Sequence, residues 1–164
     1  MLIRPAEERD IAAITAIYNE VLLHSTAIYR DDPVTLDERR SWWQSRLAQG
    51  YPILVADDDG ALIGFASFGD FRFGSGYRFT VEGTIHIAAN ARRQGAGTSL
   101  FHALYDHAHA LGKHMLVAGV DSENTGSLAF LERLGFQRTA YMPEVGFKFG
   151  RFLNLVLLQF PIRA

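Results

Sequence analysis

The chain has 164 residues, a formal net charge of −2, 48% hydrophobic and 21% charged residues, and no cysteine. This length suits a single domain, residues 1–164, able to bury roughly 70% of its unfolded surface, and the composition excludes a disordered chain. Near-neutral charge and a pI near 6.3 speak against a nucleic-acid or anionic-membrane binder; the missing cysteines exclude disulfides, thiolate nucleophiles and cysteine metal sites, and suit a reducing cytoplasm.

Residues 1–8 lack the apolar core of a signal peptide, and the apolar run Leu155 to Leu158 is far too short to cross a bilayer. A cytoplasmic protein is therefore expected. In chain order, Leu2 to Arg4 reads as a short strand ended by Pro5. Ile11, Ile14, Tyr18 and Val21 recur at helical spacing and predict a helix from about Glu7 to Leu23. Thr35 to Leu47 reads as a second helix, with Pro33 before it and Gly50 just beyond its end. Pro52 to Ala56 and Leu62 to Phe68 are strand-like, joined by Asp57-Asp58-Asp59-Gly60, the chemistry of a hairpin turn.

A loop rich in Gly, Phe and Arg follows, from Asp70 to Tyr77. Thr80 to Ala88 then alternates strictly: Val81, Gly83, Ile85 and Ile87 face one way, Thr80, Glu82, Thr84 and His86 the other. Gly95 opens a third helix with the stripe Leu100, Leu104, Ala108 and Leu111, ended by Gly112. Met115 to Val120 is a strand, Asn124 to Leu134 a helix stopped by Gly135, and Gln137 to Met142 another strand. Arg151 to Phe160 is apolar on both faces, as a covered strand requires. The order βααβββαβαββ predicts an α/β protein: a central mixed β-sheet with helices on both faces.

The most informative stretch joins the polar-faced strand to the third helix through Arg92-Arg93-Gln94-Gly95-Ala96-Gly97-Thr98. Glycines here let backbone approach a ligand closely. The unpaired N–H groups of the first helical turn, with the dipole behind them, form an anion site suited to a pyrophosphate. Neither a Walker loop nor a dinucleotide fingerprint fits, and an ordinary glycine-rich connection is the competing reading. A polar row on a covered strand is costly unless it lines a cleft, which marks Glu82 as a candidate general base. His102, His107, His109 and His114 do not stack at metal-ligand spacing, so no metal is expected.

Arg92 to Gly97 resembles the pyrophosphate loop of the GNAT acetyltransferases, and Asn124, with Ser127-Leu128-Ala129 and Glu132 to Phe136, resembles their second signature. The resemblance covers nearly the whole chain and implies a GNAT-like acyl-CoA N-acyltransferase fold. Within the family, Tyr77 to Glu82, Gly69 to Arg72 and Met142 to Arg151 are similar to the phosphinothricin and methionine sulfone/sulfoximine acetyltransferases. What this implies is acetyl-CoA as co-substrate, a small amino-acid-like acceptor, direct amine attack on the thioester, and a homodimer. It further implies substrate lining by Arg72, Phe73, Gly74, Glu82, Gly83 and Thr84. Backbone of Ile85, His86 and Ile87 would pair with the pantetheine arm, which Asn124 would also bond, and Arg93, Gln94, Gly95, Ala96, Gly97 and Thr98 would hold the pyrophosphate. Asn124 also reads as a helix N-cap.

Four positions depart from the pattern. Leu131 stands seven residues after Asn124, where many members carry a Tyr or His acid, and it reads as the C3 residue of a Schellman ending. Arg93 replaces a frequent Gly, Gly83 a frequent His, and Asn154 a frequent Asp. The alternatives are an acetyltransferase of another amine or peptide N-terminus, and a non-catalytic acyl-CoA-binding module. The Arg–aromatic loop from Phe71 to Phe79, including Arg78, raises RNA binding, against which the net charge counts.

Overall fold

The computed structural model describes residues 1–163. Its strands and helices follow the expected order: β1 (Leu2–Pro5), α1 (Ile11–His24), α2 (Leu36–Ala48), β2 (Ile53–Asp58), β3 (Ala61–Asp70), β4 (Thr80–Ile87), α3 (Ala96–Ala110), β5 (Met115–Asp121), α4 (Thr125–Leu134), β6 (Gln137–Lys148) and β7 (Arg151–Pro161). The strands form one sheet in the order β1-β2-β3-β4-β5-β7-β6, mixed because β4 and β5 run parallel while the other neighbours are antiparallel.

Strand alternation sorts the core into two layers. Leu54 and Ala56 of β2 join Ala66, Val81 and the α3 residues Leu100 and Leu104 on one face, which Leu128 and Leu131 of α4 extend. Ile53 and Val55, one residue out of phase, meet Phe65 and the α1 residues Ile14 and Ile17 on the other. On that second face Trp42 of α2 stands edge-on to Phe65, ring centroids 6.2 Å apart. The start of α2 is fixed by a capping box: Thr35 Oγ1 accepts from the Glu38 N–H at 3.1 Å, and the Glu38 carboxylate accepts from the Thr35 N–H at 2.7 Å.

The structure corrects the sequence reading most at β6, which runs to Lys148 rather than stopping at Met142. Pro143 and Gly146 look like breakers, yet they sit where the register with β7 slips between Met142 and Gly146, and a bulge tolerates proline. Glu144 occupies that bulge at φ 58, and its N–H donates to Asn154 Oδ1 at 2.8 Å. The first helix also starts later than Glu7. Residues 8–10 form a 3-10 turn in which Asp10, fully buried, pairs with Arg4 at 2.6 Å and accepts from the Glu7 N–H.

Lys148 lies at the end of β6 and is only 1% exposed. Its ammonium donates to the carbonyls of Leu22, Ser25 (2.8 Å) and Ile28 (2.8 Å). A cation at the end of α1 complements the helix dipole, and it ties the segment after α1 to the β6–β7 hairpin.

Candidate active site

Strands β4 and β5 pair for only three residues, Thr80 with Met115, Val81 with Leu116 and Glu82 with Val117. Beyond that they part. β4 keeps β3 on its other edge as far as Ile87, and β5 keeps β7 as far as Asp121. The β5-side edge of Gly83 to Ile87 thus has no partner strand, and its backbone donors and acceptors face an open cleft. An extended amide-bearing chain could add there like a half-strand.

Two cavities meet at this fork. The larger, about 1210 Å³, runs from Glu82–Ile87 and Val117–Asp121 to the start of α3 and to Asn124. The smaller, about 310 Å³, lies between β4 and helices α1 and α2. Tyr18, Glu82, Thr84 and His86 line both. The polar row expected on β4 is therefore the wall between the cavities.

Glu82 has no ion-pair or hydrogen-bond partner among the described residues, and burial alone pushes its carboxyl above the usual glutamate range. Across the fork, a Cβ on Gly119 would stand 3.4 Å from Glu82 Oε1, which places the carboxylate against the β5 backbone. His86 sits between Tyr18 and Phe65, ring centroids 5.8 Å and 5.3 Å away. Burial, aided by the Arg39 charge, lowers its pKa to about 4, so the imidazole is neutral at physiological pH.

Helix α3 opens with Gly95 at φ 85, and no side chain caps it. Ser99 is the first residue whose N–H reaches back, to the Gly95 carbonyl at 3.0 Å. The N–H groups of Ala96, Gly97 and Thr98 remain as donors at the positive end of the dipole. A Cβ at Gly97 would meet Phe130 Cζ at 3.1 Å, so any larger residue there requires that ring to shift by a few tenths of an ångström. Arg93 adopts φ 63, which explains why glycine suits that position.

Asn124 caps α4 by accepting from the Ser127 N–H at 3.1 Å. Capping uses Oδ1 and leaves the side-chain NH₂ without a partner among the described residues, so the two readings of Asn124 are compatible. At the other end of α4, the Phe136 N–H donates to Leu131 O and the Gly135 N–H to Glu132 O, each at 3.0 Å. This is the expected Schellman ending, with Leu131 and Phe136 in one core cluster. Leu131 also lines the larger cavity, where it offers no proton.

A profile of the Acetyltransferase (GNAT) family matches residues 14–136. The chain belongs to the GNAT acetyltransferases. It is 45% identical, over 97% of its length and 93% of the relative's, to an L-methionine sulfoximine/L-methionine sulfone acetyltransferase of Salmonella typhimurium. It is 38% identical to a phosphinothricin N-acetyltransferase of Alcaligenes faecalis, over 99% of the chain and 83% of the relative. Among solved structures, an acetyltransferase from Salmonella typhimurium with its cofactor acetyl-CoA superposes with a TM-score of 0.96 at 43% identity, covering 100% of this chain and 95% of that one.

In this GNAT acetyltransferase, Ile85, His86, Ile87, Arg93, Gly95, Ala96, Gly97, Thr98 and Asn124 all line the larger cavity, together with Gly83. Gln94 lines neither; its side chain donates to Asn90 O at 3.3 Å. Arg72, Phe73 and Gly74 lie on the exposed loop outside both cavities, and Phe73 is fully exposed. His102, His107, His109 and His114 are exposed, and no cluster of metal-ligating side chains occurs among the described residues. No helix of the described residues is long and apolar enough to cross a membrane. Sequence reasoning missed the α2 wall: Arg39 and Trp42, three residues apart on one helical turn, look like an ordinary amphipathic pair until the sheet face opposite them is known.

Proposed function

We propose that this enzyme transfers the acetyl group of acetyl-CoA to the amine of a small amino-acid-like substrate of the methionine sulfone, methionine sulfoximine or phosphinothricin type. The observation that carries the reading is Glu82, an unpaired carboxylate at the junction of a long cleft and a small cavity. The relatives named for those substrates, and the structural neighbour named with acetyl-CoA, support the same assignment.

The amine enters mostly as ammonium and must lose a proton before it attacks. Glu82, with its raised pKa, accepts that proton and is the general base. The nitrogen lone pair then forms the C–N bond at the thioester carbonyl and the C–S bond breaks. With no cysteine in the chain there is no acyl-cysteine route, which leaves direct transfer as the simpler mechanism. Leu131 supplies no proton, so the departing thiolate takes up, through water, the second proton that the nitrogen sheds on becoming an amide.

On the co-substrate side, the open β4 edge from Ile85 to Ile87 binds the pantetheine amides and the Asn124 NH₂ adds a donor. The first turn of α3, with Arg93, binds the pyrophosphate. On the acceptor side, a second copy of the chain completes the pocket with Arg72, Phe73 and Gly74. In support, the exposed loop is aromatic, and the β6–β7 hairpin displays Tyr141, Val145, Phe147, Phe149 and Phe152, each more than half exposed, as an apolar face that a partner would cover. The acyl-CoA chemistry supports a cytoplasmic setting, and the cysteine-free chain agrees with it.

The test is thiol release and product mass with methionine sulfone, methionine sulfoximine and phosphinothricin beside simple alkylamines and a peptide N-terminus. The three amino-acid analogues should be acetylated well above the others. Acetylation of none of them would overturn the substrate assignment.

A further inference from the structure

The small cavity reached from Glu82 holds a buried cation that no carboxylate contacts among the described residues. Arg39, on α2, is 6% exposed and forms no ion pair among the described residues. Its guanidinium carbon lies 3.9 Å from the Tyr18 ring centroid and 4.6 Å from that of Trp42, and its Nε has no hydrogen-bond partner. Arg30 in the same cavity is already matched, by Glu38 at 3.0 Å. Arg46 adds a second guanidinium whose Nε is unpartnered, with one other nitrogen on Gln49 at 3.0 Å. The cavity wall therefore carries more positive than negative charge even with Glu82 ionised.

Aromatic faces steady a guanidinium but leave its N–H fork unspent, and a buried charge without a counterion is costly. Burial correspondingly lowers the Arg39 pKa, though an arginine stays charged. What would complete the site is a planar or tetrahedral oxyanion, which the fork grips with two hydrogen bonds.

We propose that Arg39 is the anion-binding residue of the amine-side cavity, and that the amines placed beside Glu82 carry a carboxylate or phosphinate held by its guanidinium. The inference rests on the proposed function and takes the acceptor amine to enter this cavity at Glu82. It gives a reason why an oxyanion on the acceptor matters, and it disfavours simple amines and amino amides.

Trp42 in the cavity wall provides a signal that needs no turnover. Methionine sulfone, its carboxamide and 3-aminopropyl(methyl)phosphinate, which keeps only a tail oxyanion, are titrated by tryptophan fluorescence into wild type, Arg39→Met and Arg39→Lys. Wild type should bind an oxyanion-bearing ligand at least about tenfold tighter than the carboxamide. Arg39→Met should bind all three alike, with acetyl-CoA binding by calorimetry unchanged, and Arg39→Lys should fall between. Preference for the sulfone alone identifies the α-carboxylate as the group read; preference for the phosphinate as well identifies an oxyanion at either end.

The proposal is overturned if wild type does not distinguish acid from carboxamide, if the preference survives in Arg39→Met, or if that variant weakens all three ligands equally, as a mere packing residue would. If Arg39→Met does not fold, the wild-type comparison still overturns the proposal when it shows no preference, and Arg39→Lys then carries the assignment to this residue. Selective, Arg39-dependent binding without acetyl transfer in a parallel thiol-release assay would leave the anion site standing and remove the catalytic reading.

Discussion

Replacing His86 by phenylalanine should make the protein less sensitive to acid. In the folded chain the imidazole pKa is lowered from 6.5 to about 4, chiefly by burial and secondarily by the Arg39 charge. The unfolded chain takes up its proton near the ordinary value, while the folded one refuses it until far lower pH. Acid therefore favours the unfolded state: stability is full above the unfolded pKa and is lost as pH falls toward the folded one. A drop of two and a half units at about 1.4 kcal/mol per unit puts this loss at roughly 3 kcal/mol. That is a large share of the ~5–15 kcal/mol typical of a folded domain. Phenylalanine keeps a ring against Tyr18 and Phe65 and cannot ionise. Guanidinium unfolding of both proteins from about pH 7 to pH 4 would yield the difference in free energy, with other titrating groups cancelling between them. The wild type should lose about 3 kcal/mol relative to His86→Phe, and Arg39→Met should shrink that gap. Parallel curves for wild type and His86→Phe would refute the reasoning.

Lys148→Met removes the ammonium that three backbone carbonyls share, so it should cost about 2–4 kcal/mol in chemical denaturation. Because residues 25–28 line the larger cavity, the same variant should raise KM for acetyl-CoA. Gly95→Ala must place a side chain at φ 85; about 1–2 kcal/mol of stability and tight acetyl-CoA binding should be lost together, read by thermal melts and calorimetry. Phe152→Lys puts a charge on the apolar hairpin face and should turn the expected dimer into a monomer in sedimentation experiments. Glu82→Gln should melt higher than wild type at neutral pH. A raised carboxyl pKa favours the fold below the unfolded value and withdraws that stability as pH rises, so the gain should vanish in acid.

The sequence was most legible where local chemistry and periodicity agree. The alternation of β4 places Glu82, Thr84 and His86 on one face, and glycines mark both ends of α3 and the close of α4. Leu131 could be explained from its neighbours alone, since a Schellman ending is a local device. Less visible was whatever depends on pairing between distant segments. Pro143 hid the second half of β6 because its cost is removed by a bulge that Asn154 supports from the neighbouring strand. The fork between β4 and β5 leaves no trace in either strand's pattern, yet it creates the open backbone edge. Arg39 looks like a solvated helix residue because only the sheet face opposite α2 shows that it is buried in the wall of a cavity that Glu82 also lines. Arg72, Phe73 and Gly74, expected to line the substrate, lie within one chain on an exposed loop away from both cavities.

The central claim is that Glu82 accepts the proton of the attacking amine. It is tested most directly by kcat/KM for methionine sulfone across pH, in wild type and in Glu82→Gln. The wild-type rate should climb as Glu82 ionises, with an apparent pKa above that of an ordinary glutamate. Glu82→Gln should lose that limb and about 10²–10⁴-fold in rate while still binding acetyl-CoA. A Glu82→Gln enzyme that keeps the wild-type rate at every pH would contradict the claim.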